Sequence, residues 1–169
     1  QRIPWLLLLM VSATFTSTII THYETAIGAY AILTAFFPML MDTGGNAGGQ
    51  TSVTIIRGLS LGEIRLRDIF RILWKEFRVA LMCGGTIAAA TFFKVFAVDF
   101  RFHATSMLES GAIQNNLVIC AVVCLTVFFA IVIANIVGTL LPIGAKRLGF
   151  DPAVMSSPFI TTIVDAISL

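Results

Sequence analysis

Pro38-Met39-Leu40-Met41-Asp42-Thr43-Gly44-Gly45-Asn46-Ala47-Gly48-Gly49-Gln50 is a polar, glycine-rich island in a chain that is otherwise apolar. One carboxylate, two carboxamides and four glycines fall within it. Water-soluble loops have this composition. At membrane depth it is costly, because polar groups there must be paired or face water. Read as a helix, Asp42, Asn46 and Gln50 recur every four residues and form one stripe. The glycines remove side chains, so another backbone or an ion can come close.

The composition around the island points to a bilayer. Hydrophobic residues make up 57% of the 169 and charged residues 12%, against about 25% charge in a soluble domain. The expected fold class is an all-α membrane protein with five transmembrane helices per protomer, since the length suits five spans of roughly 20 residues. It leaves no room for a sizeable soluble domain. The chain is expected to be one transmembrane domain over 1–169, with spans at about 3–21, 26–56, 79–98, 111–141 and 152–169. Cys83, Cys120 and Cys124 all lie in apolar runs and read as small buried residues. No His or third Cys joins Cys120 and Cys124, which argues against a soft-metal site.

Outward from the island, the elements follow in order. Span one opens with Pro4 and Trp5, suited to a first helical turn and a membrane interface. Its Thr and Ser residues, Thr14 to Thr21, read as small groups for helix packing. Span two contains the island and is long for one crossing, about 45 Å if straight. Pro38 should kink it, and a broken helix at membrane depth lines a cavity. Residues 57–78 then carry six basic groups. Ser60-Leu61-Gly62-Glu63 reads as a capping box. Leu66, Ile69, Phe70, Leu73 and Phe77 follow at helical spacing, opposite Asp68, Arg71, Lys75 and Arg78. That pattern predicts a cytoplasmic amphipathic surface helix over 63–78, between spans two and three. Nucleic-acid binding, the other use of such a basic run, does not fit the context. Asn135 is the strongly polar interior residue of span four. Pro142 to Gly149 reads as a second basic connection. Asp151-Pro152 starts span five as N-cap and first turn, and Ser156-Ser157-Pro158 should interrupt or restart it.

Basic residues set the expected orientation. Alternate connections put Arg2, the six of 57–78, Lys146 and Arg147 on one side, and only Lys94 and Arg101 on the other. Nine against two places the N-terminus in the cytoplasm of a multi-pass protein of the cell (plasma or inner) membrane.

Two carboxylates lack an ordinary home in a loop. Asp42 lies well inside span two, and Asp165 lies roughly 10–20 Å into span five. An acid within a membrane is by default a functional site. No Lys or Arg within either span is placed to neutralise them. An oxygen-rich, negative site beside glycine carbonyls suits Mg²⁺, Ca²⁺ or Mn²⁺ rather than Zn²⁺ or Cu⁺. The few direct ligands favour an ion that keeps its waters, and Mg²⁺ dehydrates most reluctantly. Asp42-Thr43-Gly44 also matches the tripeptide of aspartic proteases, but that motif belongs to an all-β soluble fold. The glycine run lacks the Gly-Lys-Ser/Thr ending of a phosphate loop. The chain therefore reads as a non-enzyme that moves divalent cations. A Na⁺- or H⁺-coupled exchanger using the same acid is the alternative, and an intramembrane aspartic protease or a structural subunit are the readings from other classes.

Four motifs in order carry a resemblance to a known family. They are Arg2-x-Pro4-Trp5-Leu6, then Gly44-Gly45-Asn46-Ala47-Gly48-x-Gln50 with Arg57-Gly58-Leu59 behind it, then Lys146-Arg147-Leu148-Gly149-x-Asp151-Pro152-Ala153, then Pro158-Phe159-x-Thr161-Thr162-x-x-Asp165. Together they resemble the transmembrane domain of the MgtE magnesium channels and, more distantly, the related eukaryotic solute carriers. The resemblance implies a homodimer with one ion pathway on its two-fold axis, between spans two and five. It implies that Asp165 binds hydrated Mg²⁺, with Mn²⁺, Co²⁺ or Ca²⁺ as substitutes. Carbonyls near Gly44, Gly45 and Thr161 would face the ion's waters, Asn46 is the motif asparagine, and Asp151 sits near the cytoplasmic mouth. The family's N-terminal helical domain and paired CBS domains have no counterpart in this chain.

Overall fold

The computed structural model describes residues 2–24, 31–99 and 113–168. Among them the chain is helical, with no strand. Five α-helices follow in order: α1 (Arg2–His22), α2 (Phe37–Ser60), α3 (Ile69–Lys94), α4 (Ile113–Arg147) and α5 (Pro152–Ser168). A 3-10 segment, Ala31–Phe36, leads into α2, another, Leu66–Asp68, leads into α3, and a π-helical turn, Val95–Asp99, follows α3. The expected loop at 99–110, Arg101 and the first residues of spans two and four lie largely outside the described residues.

Among the described residues, two stretches are long and apolar enough to cross a membrane, Ile69–Ala97 and Leu117–Arg147. The second is most of α4, which is the hub. Helices α2, α3 and α5 all pack on α4, α2 also packs on α5, and α1 packs mainly on α5. The core is strung along α4 in three groups. Val123, Val127 and Ile131 meet Phe36 and Leu40 at one end. Ala134 meets Ile160 and Val164 in the middle. Ile143 meets Ile55 and Leu59 at the other end. Leu40 and Leu59 thus follow α4 in the same order, so α2 and α4 run parallel.

Small residues allow the close approach. A Cβ on Gly138 would strike the carbonyl oxygen of Gly48. A Cβ on Gly48 would lie 2.7 Å from Ile160 Cγ2 and 3.0 Å from the Ala134 oxygen. The backbones of α2 and α4 therefore touch, which the glycines permit and larger residues forbid.

Several local expectations are corrected. Ser60-Leu61-Gly62-Glu63 ends a helix rather than starting one. Ser60 Oγ donates back to the Ile56 carbonyl at 2.9 Å, and Gly62 takes φ +73°, which halts α2. The basic segment is not a separate surface helix. Residues 69–78 are the first turns of α3, which runs through to Lys94, because no proline or other stop separates Arg78 from Val79. Pro142 does not end span four. Helix α4 passes through it to Arg147 and closes at Gly149, φ +80°. There Phe150 N–H reaches the Ala145 carbonyl at 2.9 Å and Gly149 N–H the Lys146 carbonyl at 3.2 Å, the paired bonds of a Schellman end. Helix α5 likewise continues through Pro158. In α1 the hydroxyls of Thr14, Thr18 and Thr21 donate to carbonyls four residues back. Those hydroxyls are satisfied within their own helix, not across a packing interface.

Candidate ion-binding groove

Helix α2 has two faces. Leu40, Gly44, Gly48, Thr51, Ser52, Ile55 and Leu59 are buried against α4 and α5. Asp42, Asn46 and Gln50 are exposed, on the other side. The stripe of three residues read from the sequence is therefore one physical surface. It forms one wall of an open groove of about 800 Å³, whose other wall is α5. Asp42, Gly45, Asn46, Gly49, Gln50 and Thr54 line it from α2, and Thr161 and Asp165 from α5.

The donors facing this groove are carboxylate, amide and hydroxyl oxygens, which suits hard cations. No group of three or more His, Cys, Asp and Glu is close enough to hold a bare metal ion among the described residues. The groove is wide instead. Six waters fill roughly 180 Å³ of liquid, so an octahedrally hydrated ion fits with its shell intact.

Of the residues expected at the site, Gly45, Asn46, Thr161 and Asp165 come together here. Gly44 and Asp151 do not. Gly44 is buried on the packed face, where an added Cβ would lie 2.5 Å from Val164 Cγ1 and 3.7 Å from Ala130 Cβ. Asp151 is exposed, directly before the start of α5, and does not line the groove. Gly44 thus serves the contact of α2 with α5. Val164 sits between Asp165 and Ile163, so that contact also fixes where Asp165 stands.

Thr54 lines the groove although sequence reasoning passed over it. It lies four residues beyond Gln50 and continues the stripe, and its Oγ1 donates to the Gln50 carbonyl at 3.0 Å. Behind the groove, Thr51 Oγ1 donates to Asn135 Oδ1 of α4, and both residues are buried. At the end of α2, Lys146 Nζ donates to the Leu59 carbonyl at 2.8 Å. That contact places a cation against the carbonyl end of the helix, where the dipole favours it.

Residues 37–169 match the family model MgtE, described as a divalent cation transporter. The chain is 36% identical over 168 residues to the magnesium transporter MgtE of Thermus thermophilus, covering 99% of this chain and 34% of that protein. It is 31% identical over 169 residues to the magnesium transporters MgtE of Bacillus subtilis and Enterococcus faecalis, covering 100% of this chain and 34% of each. The chain therefore spans about a third of the length of these curated relatives. With the family model covering α2 to α5 and relatives matched along the chain, the protein belongs to the MgtE family of divalent cation transporters.

Proposed function

We propose that this chain is the ion-conducting part of a divalent cation transporter, with Mg²⁺ as its first substrate and the α2–α5 groove as its pathway. The observation that carries the reading is the groove itself. An apolar, membrane-type helix bundle leaves two carboxylates, two amides and two hydroxyls on one open face. Lipid is a poor neighbour for that face. A second copy related by a two-fold axis would cover it and turn two half-grooves into one water-filled channel. All five helices then cross the membrane, with the N-terminus and the basic ends of α2 and α4 in the cytoplasm. The membrane is the cell (plasma or inner) membrane.

In this reading Asp165 supplies the charge that selects the ion. Two copies across the axis double it and favour a divalent over a monovalent cation. Thr161, Asn46 and the backbone around Gly45 receive the waters of the hydrated ion. Gly44 acts one step behind, by seating α5, and Asp151 contributes negative charge near the cytoplasmic mouth.

Energy source is tested in proteoliposomes. Mg²⁺ uptake driven by an inside-negative voltage alone is the expected result. Uptake that appears only when a Na⁺ or H⁺ gradient is imposed would replace the pore with a coupled exchanger.

A further inference from the structure

The outward face of α3 is used by neither the groove nor the core. Ile69, Ile72, Glu76 and Ala80 share its inward side by helical spacing. Glu76 and Ala80 are buried, and Ile69 and Ile72 pack on the Ile55, Leu59 and Ile143 group. Arg71, Lys75 and Arg78 fall together on another side, and all three are exposed. Next to them Phe70 is 87% exposed and Trp74 63%. Trp74 stacks on Phe77 with ring centroids 5.9 Å apart. One turn further on, Leu81 and Met82 are exposed and apolar. All of these stand on one unbroken 26-residue helix.

A cationic stripe, an aromatic row and an apolar surface thus succeed one another along a single rod. A phospholipid presents complementary chemistry in the same order: phosphate, interface, acyl chain. Tryptophan favours that interface. Of the nearby carboxylates, Glu76 points inward, and Asp68 is half-buried ahead of the helix. Lys75 Nζ lies 3.7 Å from Glu76 Oε1 yet its side chain stays 70% exposed. The outer face is left net positive. A zwitterionic headgroup neutralises its own phosphate, whereas an anionic one does not.

We propose that this face of α3 binds an anionic phospholipid of the bilayer, its phosphate on Arg71, Lys75 and Arg78 and its acyl chains along Leu81 and Met82. The proposal rests on the reading that α3 crosses the membrane.

Trp5→Phe leaves Trp74 as the sole tryptophan. In vesicles, its fluorescence is compared with brominated phosphatidylglycerol and with brominated phosphatidylcholine at equal mole fraction. Stronger quenching by phosphatidylglycerol is expected. Arg71→Gln should lower that preference about fivefold, the effect of one basic residue near an anionic surface. Arg147→Gln removes equal charge from the end of α4 and should leave the preference unchanged. Equal quenching by both lipids would overturn the site. So would an equal loss in Arg147→Gln, which signals diffuse surface charge, and so would no quenching at all, which places Trp74 away from lipid. Arg71 and Arg147 are both exposed, and the folding of every variant is checked by elution and far-UV dichroism. Mg²⁺ flux is read in the same vesicles. Preferential quenching without flux contradicts the transport reading alone, and flux without preference contradicts the lipid site alone.

Discussion

Asn135 stands inside the long apolar helix α4, and its side-chain oxygen accepts the Thr51 hydroxyl in the buried seam with α2. Replacing Asn135 by Leu leaves that hydroxyl without its partner. The expected loss is about 1–3 kcal/mol, the usual cost of an unsatisfied buried polar group. Thermal unfolding in detergent measures it. Thr51→Val combined with Asn135→Leu should cost less than the sum of the two, because both remove one bond. Simple additivity would show that the pair is not coupled. Gly138→Ala puts a methyl against the Gly48 carbonyl and should lower stability by about 1–3 kcal/mol. Gly49→Ala meets no atom within 4 Å and should leave unfolding unchanged or raise its midpoint. Asn135 was visible in the sequence as a polar residue in an apolar run, but its partner was not. Thr51 is one of several hydroxyls on α2, and only the rotation of the packed helix selects it. Gly44 is a second case in which helix rotation decides the position. Adjacent to Gly45, it lies about 100° away around a helix, on the packed side.

The elements were legible where periodicity was strong. The stripe Asp42, Asn46, Gln50 needed only the assumption of a helix, and the structure makes it a wall of the groove. Boundaries were less legible. The Ser-x-x-Glu spacing of a capping box can equally fall at a helix end, and the left-handed backbone of Gly62 decides for the end. Pro142 and Pro158 looked like stops but sit inside α4 and α5, where packing holds the helix together despite the lost hydrogen bond. Long-range ties between elements left no mark on local sequence. Lys146 read as one more basic residue in a connection, yet it binds the last turn of α2 through the Leu59 carbonyl. Lys146→Met should loosen that turn, at about 1 kcal/mol. Faster amide exchange in the last turn of α2, with the rest of the helix unchanged, is the expected signature. Unchanged exchange would mean the contact carries no stability.

At the scale of the whole molecule, the bundle is arranged so that α4 is wrapped and α2 is half open. Helices α2, α3 and α5 cover α4, while the polar side of α2 and the exposed Thr161 of α5 are left facing outward. That asymmetry fits the proposed pairing with a second copy across the groove. In a background where Cys83, Cys120 and Cys124 are replaced by Ala, Asn46→Cys should therefore be joined to its own copy by a short bifunctional thiol reagent in membranes, giving a dimer on denaturing gels. A cysteine on the exposed apolar side of α3, at position 82, should not. Equal cross-linking at both positions would remove the two-fold axis from the groove. The most direct test of the ion pathway is Mg²⁺ flux in proteoliposomes at a fixed inside-negative voltage, comparing the parent chain with Asp165→Asn. Conduction by the parent and its loss in the variant, with both remaining folded and equally assembled, is the predicted result. Equal flux in the two would mean that Asp165 does not hold the ion and that the groove between α2 and α5 is not selected by its charge.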